Sequence, residues 1–378
     1  MSSKFKVMSV FGTRPEAIKM APVVLELKNH HTFQPLVTVT AQHRDMLDQV
    51  LHLFNIKPDF DLNIMAQNQT LFDITSKALL GLKSVLDQQK PDLILVHGDT
   101  TTTFAAALAA FYLHIPVAHV EAGLRTRNKY SPFPEEINRK LTGSLADIHF
   151  APTQIAKDNL LAVGVDHYSI FVTGNTVIDA LFMTVKKNFT FADSRLQNID
   201  FKKNRVILVT THRRENLGEP LRHVYKALKR LINTFNDLLV IFPVHKNPNV
   251  RQVVNEELGG VDRVLLIDPL DYEPFANLMA RSNLILTDSG GLQEEAPALG
   301  VPVLVLRDTT ERPEAIAAGT VKLVGTDSDN VFNAANLLLT NEFEYDKMAK
   351  AANPYGDGTA ARKIVSILED RFLSLGNS

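Results

Sequence analysis

"DLILVHGDTTTTFAAALAAFYLHIPVAHVEAG" (residues 92–123) decides the fold class of this chain. Two short apolar runs, "DLILVHG" and "IPVAHVEAG", stand on either side of a small-residue stretch that a run of threonines opens. Short apolar runs that alternate with longer helix-like stretches are typical of strand–helix–strand units, in which the two strands lie parallel. The stretch therefore predicts a parallel sheet with helices on its faces.

The same alternation extends in both directions from this unit. The runs "KVMSVF" and "PLVTVTA" precede it, and "DIHFAPT" follows it. A polar stretch, "KKNFTFADSRLQNIDFKKN", interrupts the pattern, which restarts with "RVILVTTH", "LLVIFPVH", "RVLLIDP", "NLILTDSGG" and "VPVLVLRD". A chain of 378 residues is also too long for one typical core. We therefore expect two doubly wound domains, joined near residues 175–200.

The composition excludes several classes of function. The net charge is −2, so the overall balance favours neither nucleic acid nor an anionic membrane as a partner. The chain has no cysteine, which excludes disulfides, thiol catalysis and thiolate metal sites. The longest apolar run, residues 104–113, is too short to cross a bilayer, and the N-terminal segment becomes charged too soon for a signal peptide. We expect a cytoplasmic protein.

The turn after the first expected strand, "GTRPEAIK", carries two cations. Gly12 permits a tight turn, and Pro15 suits the first turn of a helix. Arg14 and Lys19 would then lie near a helix N-terminus, where backbone N–H groups favour an anion. The alternative is a tight turn with two solvated cations. The segment lacks both the full dinucleotide glycine pattern and the phosphate-loop pattern, so NAD and ATP are not indicated.

Three carboxylates of this half lie after expected strands or in the irregular stretch that follows one. Asp99 follows a glycine after "DLILVHG", Glu121 follows "PVAHV", and Glu135 lies near the end of "HVEAGLRTRNKYSPFPEE" (residues 119–136). An enzyme that removes a proton from carbon and later returns it needs such groups. The residues alone leave simpler interpretations open, since Asp is a preferred helix N-cap and Glu121 could begin a loop.

The second half repeats the arrangement. "VTTHRREN" places His212 after its first strand, and "FPVHKNP" places His245 after the next. In "TDSGGLQEEAP", residues 289–291 form a small turn whose amides open a helix and suit a diphosphate. Glu294 and Glu295 lie about one turn inside this helix, where a carboxylate could bind ribose hydroxyls or simply favour the helix dipole.

In their order, these motifs resemble those of the non-hydrolysing UDP-N-acetylglucosamine 2-epimerases. The resemblance runs nearly end to end and rests on "GTRPEAIKMAP", "QHRDML", "HGDTTT", "HVEAGLRT", "PFPEEINR", "GNTVIDAL", "THRREN", "VHKNP" and "TDSGGLQEEAP…ERPEA". It implies the α/β GT-B architecture, with two Rossmann-like doubly wound domains facing each other across a cleft that holds the site. The expected domains are residues 1–175, joined by a C-terminal helix at 357–378, and a UDP-binding domain at 176–356. The family is usually homodimeric.

The resemblance also implies a reaction. UDP-N-acetylglucosamine and UDP-N-acetylmannosamine would interconvert at C2 by elimination and re-addition of UDP through 2-acetamidoglucal, which supplies N-acetylmannosamine precursors for cell-surface polysaccharide. No cofactor and no metal are expected. Three other functions stay open: a hydrolysing 2-epimerase, a GT-B glycosyltransferase, and a non-catalytic nucleotide-sugar sensor.

Residue roles carry over by position. Asp99, Glu121 and Glu135 match the acid–base carboxylates, and His212 would assist at the diphosphate. Carboxylates in one cleft raise one another's pKa, which would let protonated and ionised forms coexist, but which one is the base stays open. The residues expected to bind UDP or substrate are Arg14, Lys19, Ser289, Gly290, Gly291, Glu295 and Arg312.

A second ligand site is also implied. Bacterial members of the family can bind a second UDP-N-acetylglucosamine beside the catalytic one as an activator. Gln42, His43 and His245 match positions that line that site. The alternative is that these residues belong to the substrate pocket or cap strands.

Overall fold

The computed structural model describes residues 4–41, 44–213 and 216–375. The chain divides into two compact units. The first unit comprises the residues up to Phe182 together with those from Tyr355 onward, and the second comprises Met183–Pro354. The boundary that the sequence predicted, after residue 175, lies immediately before helix α7 (Thr176–Thr184), whereas the structural boundary lies inside that helix.

The first unit contains a parallel sheet in the order β3-β2-β1-β4-β5-β6-β7. Its strands are β1 (Phe5–Phe11), β2 (Phe33–Val39), β3 (Phe60–Asp61), β4 (Leu93–His97), β5 (Val117–Val120), β6 (Ile148–Ala151) and β7 (Ile170–Val172). Its α-helices are α1 (Arg14–Asn29), α2 (Arg44–Leu53), α3 (Leu71–Gln89), α4 (Thr101–Tyr112), α5 (Glu135–Leu145), α6 (Gln154–Leu161), α7, and α16 (Ala360–Leu375) near the end of the chain.

The second unit contains a parallel sheet in the order β10-β9-β8-β11-β12-β13. Its strands are β8 (Arg205–Thr210), β9 (Leu238–Pro243), β10 (Val264–Ile267), β11 (Leu284–Thr287), β12 (Val303–Val305) and β13 (Val321–Leu323). Its helices are α8 (Ser194–Gln197), α9 (Glu219–Thr234), α10 (Pro248–Leu258), α11 (Tyr272–Met279), α12 (Leu292–Ala298), α13 (Pro313–Ala317), α14 (Ser328–Thr340) and α15 (Glu342–Ala349).

Small residues set how closely helices and turns approach the first sheet. The alanines of α4 are buried, which lets this helix lie close to its neighbours. Gly12, directly after β1, has no room for a side chain, because a Cβ there would stand 2.0 Å from Thr40 Oγ1. Thr40 Oγ1 is in turn 2.9 Å from Thr102 Oγ1 in α4. The glycine therefore lets three elements meet at the carboxyl end of β1.

Helix α16 packs against the beginning of the first unit. The Phe372 ring lies 4.5 Å from the Phe5 ring, and Thr32 Oγ1 donates to Glu369 Oε1 at 2.8 Å. The buried carboxylate of Asp179 accepts the backbone N–H groups of Ala360 and Ala361, which open α16. Apolar burial and a helix cap thus hold the last helix of the chain on this unit.

The α/β fold class is confirmed, since each sheet is parallel and helices alternate with strands. All the apolar runs that the sequence predicted to be strands are strands, and the short strands β3, β7 and β13 were missed. No helix among the described residues combines the length and the apolar character needed to cross a membrane.

Candidate active site

Each sheet reverses its strand order beside its first strand, at β1/β4 in the first unit and at β8/β11 in the second. Ligands of open parallel sheets bind beyond the carboxyl ends of the strands at such a switch point. The segments that follow these four strands contain most of the residues that the sequence proposed. The first unit therefore presents a group of carboxylates at one switch point, and the second presents a histidine and a glycine turn at the other.

A buried glutamate ties the two turns of the first unit together. Glu16 is 2% exposed, and its carboxylate accepts the backbone N–H groups of Gly12 at 3.0 Å and Thr13 at 2.8 Å. It also accepts the hydroxyls of Thr100 at 2.6 Å and Thr103 at 3.0 Å. The sequence analysis gave Glu16 no role, although the Thr13–Glu16 spacing is that of a capping box. Glu16 thus fixes the turn after β1 relative to the turn after β4.

Glu121 lies in a charged cluster with Lys19 and His97. Lys19 Nζ donates to Glu121 Oε2 at 2.5 Å. His97 Nε2 lies 2.8 Å from the same oxygen. The Glu121 side chain is only 7% exposed. A buried carboxylate is therefore held between a lysine and a histidine.

The charges around Glu121 decide its protonation state. Burial raises the pKa of the Glu121 carboxyl, but the positive charge of Lys19 and the contact with His97 outweigh burial and hold it well below its usual range. The expectation that neighbouring carboxylates raise this pKa is wrong for Glu121, because an ammonium group lies nearer than any other charge. Glu121 is therefore ionised at neutral pH, which is the form of a carboxyl group that can accept a proton.

The backbone at Glu121 is unusual. Its φ is 60°, in the left-handed region that non-glycine residues seldom adopt. Gly123 follows at φ 97°, and a Cβ there would meet the backbone oxygen of Ala156 at 2.2 Å. Strained positions of this kind collect at functional sites, because the surrounding packing must hold them. The interpretation of Glu121 as merely the first residue of a loop does not account for its burial and its partners.

Asp99 is held by helix α5. Arg139 donates through Nε to Asp99 Oδ2 at 3.1 Å, and its Nη2 contacts the same oxygen. Asn138 donates through Nδ2 to the Asp99 carbonyl at 3.0 Å. The interpretation of Asp99 as an N-cap is wrong: Thr100 caps α4, with its hydroxyl accepting the Thr103 N–H at 3.1 Å. The Asp99 carboxylate is therefore free of a capping role.

A neutral histidine, His119, supports the turn that precedes Asp99. His119 Nε2 lies 2.7 Å from the carbonyl oxygen of Gly98. Burial lowers the pKa of His119 to about 3, so the ring is neutral at physiological pH and donates its Nε2 hydrogen to that carbonyl. Gly98 has φ 66°, which an L side chain rarely adopts. His119 thus fixes the backbone immediately before Asp99.

The adjacent residues Glu135 and Glu136 have different surroundings. Glu136 is fully buried and accepts the N–H groups of Thr126 at 3.0 Å and Arg127 at 3.2 Å, and also Arg139 Nη1 at 3.2 Å. Glu135 begins α5, and its Oε2 is buried without a hydrogen-bond partner among the described residues. Glu136 therefore closes the loop onto α5, while the carboxyl of Glu135 is available for chemistry.

Asp99, Glu121 and Glu135 are carried by neighbouring elements of this unit. Residues four apart share one face of a helix, so Glu135 lies on the face of α5 from which Arg139 reaches Asp99. Glu121 follows β5, the strand paired with β4 just before Asp99. Arg14 begins α1 at the same switch point, and its guanidinium makes no hydrogen bond or ion pair with any residue that the structure describes. A partly exposed cation beside this cluster suits an anionic substrate.

In the second unit, His212 lies against Asp288. Its Nδ1 is 3.1 Å from Asp288 Oδ1, and its backbone N–H donates to Asp288 Oδ2 at 3.0 Å. Asp288 is fully buried, whereas the His212 side chain is 43% exposed. The sequence proposed His212 but gave Asp288 no role, although it stands directly before the glycine turn.

The turn at residues 289–291 leads into α12. The Ser289 N–H donates to Thr287 Oγ1 at 2.9 Å, and Gln293 Nε2 donates to the Ser289 carbonyl at 3.1 Å. Within the described part of the chain, the N–H groups of Gly290 and Gly291 have no backbone acceptor. Open amides at a turn without side chains fit the oxygen atoms of a diphosphate.

The two glutamates of α12 differ in their partners. Glu294 is almost completely buried and pairs with the guanidinium of Arg312. Glu295 is only partly buried and lies near Tyr272, where burial and the Glu295 carboxylate raise the pKa of the tyrosine hydroxyl. Arg312 therefore orients Glu294, and Glu295 is the more exposed carboxylate of the two.

His245 is the described member of the three residues assigned to a second ligand site. Its side chain is exposed, and its ring stacks on that of His212 with centroids 6.0 Å apart. The Asn247 N–H donates to His245 Nδ1 at 3.1 Å. Gln42 and His43 lie outside the described residues. Within residues 4–41, 44–213 and 216–375, no group of three or more His, Asp or Glu side chains could hold a metal ion.

Comparison with known proteins identifies the family. Residues 25–369 match the family model described as UDP-N-acetylglucosamine 2-epimerase. The UDP-N-acetylglucosamine 2-epimerase of Bacillus subtilis (strain 168) is 60% identical over 365 residues, which cover 97% of this chain and 95% of that protein. The enzyme of that name from Escherichia coli O157:H7 is 55% identical over 375 residues, with 98% and 100% covered.

A solved structure agrees with these sequence matches. The crystal structure of UDP-GlcNAc 2-epimerase from Neisseria meningitidis bound to UDP-GlcNAc matches this chain with a TM-score of 0.85 and 53% sequence identity. The match covers 97% of this chain and 100% of that one. The switch-point carboxylates, the histidine and the glycine turn described above all fall within the matched residues. The chain therefore belongs to the UDP-N-acetylglucosamine 2-epimerase family, whose members are isomerases, as its sequence motifs predicted.

Proposed function

We propose that the protein interconverts UDP-N-acetylglucosamine and UDP-N-acetylmannosamine without releasing free sugar, and that its product supplies N-acetylmannosamine units for cell-surface polysaccharide. The observation that carries the proposal is Glu121, a buried carboxylate that Lys19 keeps ionised beside two further carboxyl groups. Family membership supports the substrate, since the Neisseria meningitidis relative was solved with UDP-GlcNAc bound.

The chemistry requires a base and a good leaving group. No carbonyl stands beside C2 of the sugar to stabilise a carbanion. The electron pair of the C2–H bond can instead form the C1=C2 double bond while the C1–O bond breaks and its electron pair leaves with UDP. The intermediate is 2-acetamidoglucal. Adding UDP back at C1 while C2 gains a proton on the other face gives the epimer, so neither an oxidant nor a reductant is consumed.

The surroundings of the carboxylates favour particular roles. Glu121 is ionised and takes the C2 proton in the forward direction. Glu135, whose Oε2 has no hydrogen-bond partner among the described residues, returns a proton from the other face. Asp99 completes the set, with its orientation fixed by Arg139. Lys19, which the sequence assigned to the substrate, serves chiefly to hold Glu121. The reverse reaction exchanges the two proton-transfer roles.

The second unit would hold the nucleotide. The open amides of Gly290 and Gly291 and the exposed ring of His212 face the diphosphate, where negative charge builds as the C1–O bond breaks. Glu295 accepts the ribose hydroxyls.

The nucleotide role of Glu295 can be measured. Replacing Glu295 with alanine should weaken UDP binding about tenfold, the usual effect of losing hydrogen bonds to a charged group. Turnover at saturating substrate should change less than about threefold, because ribose contacts are similar in the ground and transition states. Calorimetry with UDP and steady-state kinetics would give both values.

A matched control for this variant is Glu273→Ala. Glu273 lies in α11 of the same unit and pairs with Lys186 at the surface. It should leave UDP affinity unchanged. Unchanged UDP affinity in Glu295→Ala together with a collapsed turnover number would contradict the ribose role.

The reaction class is tested by incubation with UDP-N-acetylglucosamine in deuterated water without any additive. We expect deuterium at C2 of both epimers, and no free N-acetylmannosamine, by NMR and mass spectrometry. Free N-acetylmannosamine with stoichiometric UDP would instead identify a hydrolysing enzyme. Substrate binding without any C2 exchange would contradict epimerisation and favour a transferase or a sensor.

A further inference from the structure

We propose that Asp288 is a positioning residue of the reaction, which holds His212 with Nδ1 inward and Nε2 directed toward the departing diphosphate. This inference rests on the proposed function of His212. It begins from the short distance, 3.1 Å, between Asp288 Oδ1 and His212 Nδ1. A residue that acts through another side chain leaves no pattern of its own in the sequence, and Asp288 stands directly before the glycine turn.

The surroundings of Asp288 make it an ionised acceptor. Its carboxylate is fully buried and accepts the N–H groups of His212 at 3.0 Å and Arg213 at 3.0 Å, and Asn216 Nδ2 at 3.3 Å. Burial raises the pKa of Asp288. The contact with the His212 ring and these hydrogen-bond donors lower it by a larger amount, so the pKa lies below its usual value. An ionised carboxylate can only accept hydrogen bonds, so Nδ1, the ring nitrogen that faces it, must carry a proton.

The consequence for His212 follows from ring chemistry. With Nδ1–H held by Asp288, the exposed side of the ring presents Nε2. A ring held in this way can donate from Nε2, once that nitrogen carries a proton, to the oxygen that gains charge when the C1–O bond breaks. The His245 ring lies roughly parallel to the His212 ring, with the two centroids 6.0 Å apart.

A purely structural role is the competing explanation. Because Asp288 also accepts two backbone N–H groups, its replacement will disturb the turn after β8 in any case. The experiment must therefore ask whether Asp288 acts through His212. A double-mutant cycle answers this, since residues that act as one unit have non-additive effects.

The cycle uses Asp288→Asn, His212→Gln and the double variant. Asp288→Asn alone should lower kcat about 10- to 100-fold, as loss of a partner that orients a working histidine does. In the His212→Gln background, the same change should lower kcat less than about threefold. Equal losses in both backgrounds would overturn the proposal, because Asp288 would then act independently of His212.

A matched control separates stability from positioning. Asp179→Asn replaces another buried carboxylate that accepts two backbone N–H groups, in the first unit. It should lower the Tm as Asp288→Asn does, while kcat stays within about twofold because no histidine depends on it. A kcat loss in Asp179→Asn equal to that in Asp288→Asn would mean that general destabilisation explains both.

A second readout does not depend on turnover. Long-range nitrogen–proton NMR of protein labelled with nitrogen-15 in histidine reports which ring nitrogen of His212 carries the proton. The wild type should carry it on Nδ1, and Asp288→Asn should lose this preference. Failure of the wild type to epimerise would contradict the proposed function and leave this measurement intact. An unchanged tautomer in Asp288→Asn would contradict the positioning role.

Discussion

Replacing Glu121 with glutamine should lower the turnover number by about 10²- to 10⁴-fold, the usual contribution of general acid–base catalysis. The amide keeps the size of the side chain and still offers an oxygen to Lys19, which donates to Oε2 in the native protein. It cannot take a proton from C2. UDP binding should be retained, because the residues proposed to bind the nucleotide lie in the other unit. Rates of C2 deuterium exchange and calorimetry with UDP measure the two effects.

The control for this variant is Glu369→Gln in α16. Glu369 also contacts a histidine, since its Oε2 lies 3.4 Å from His30 Nε2, and it belongs to the same unit. Its replacement alters a contact that does not involve the carboxylate cluster and should leave turnover unchanged. If Glu121→Gln kept most of its activity, Glu121 would not be the base, and Asp99 or Glu135 would have to take that role.

The fold was readable from the sequence because parallel strands are buried on both faces. Their apolar runs are continuous, and turns and helix caps separate them clearly from the helices. The missed strands β3, β7 and β13 have only two or three residues each, too few to form a pattern. The carboxyl ends of the recognised strands then indicated where polar residues would gather.

The sequence could propose Asp99 and Glu121 but not their partners. Arg139 lies 40 residues from Asp99 in the chain, and Lys19 lies 102 residues from Glu121. Such contacts depend on which strands are neighbours, which local periodicity does not encode. The pKa of Glu121 was misjudged for the same reason, since it depends on the nearest charge in space.

Runs of identical residues also limited what the sequence could predict, because neighbours of the same type cannot be told apart by pattern. The four threonines at 100–103 made the position of the α4 cap ambiguous, and the structure places it at Thr100. In the pair Glu135–Glu136, either residue could have faced the substrate. Only the buried partners of Glu136 separate a loop-closing carboxylate from an available one.

Replacing Lys19 with methionine should reduce both stability and activity through Glu121. Removing one partner of a buried ion pair leaves an uncompensated charge, which costs about 3 kcal/mol at neutral pH. The Lys19 and Glu121 side chains are 17% and 7% exposed, so water screens this charge little. Without the ammonium group, burial raises the pKa of Glu121 relative to the native protein. The carboxyl then loses its fixed position and part of its ionised population, and turnover should fall at least about 10²-fold.

The pH dependence of this variant has a definite sign. In the native protein the folded pKa of Glu121 is depressed, so its stabilising contribution is present above the unfolded pKa and is lost as the pH falls through the folded pKa. In Lys19→Met, we expect burial without the ammonium group to hold the folded pKa of Glu121 above its unfolded value, so stability should fall as the pH rises above the unfolded pKa. The stability difference between the two proteins should therefore shrink from pH 7.5 toward about pH 4.5, near the pKa of an unperturbed glutamate. Urea unfolding at both pH values measures it.

The double variant Lys19→Met with Glu121→Gln provides the decisive comparison. A neutral amide carries no charge to bury, so the double variant should be more stable than Lys19→Met alone at pH 7.5. It should remain inactive, because the base is absent. If the second substitution restored no stability, or if the stability loss of Lys19→Met were the same at both pH values, the cost would lie in lost packing of the lysine stem and not in an unpaired Glu121. Lys19 would then have to be assigned to the substrate, where the sequence first placed it.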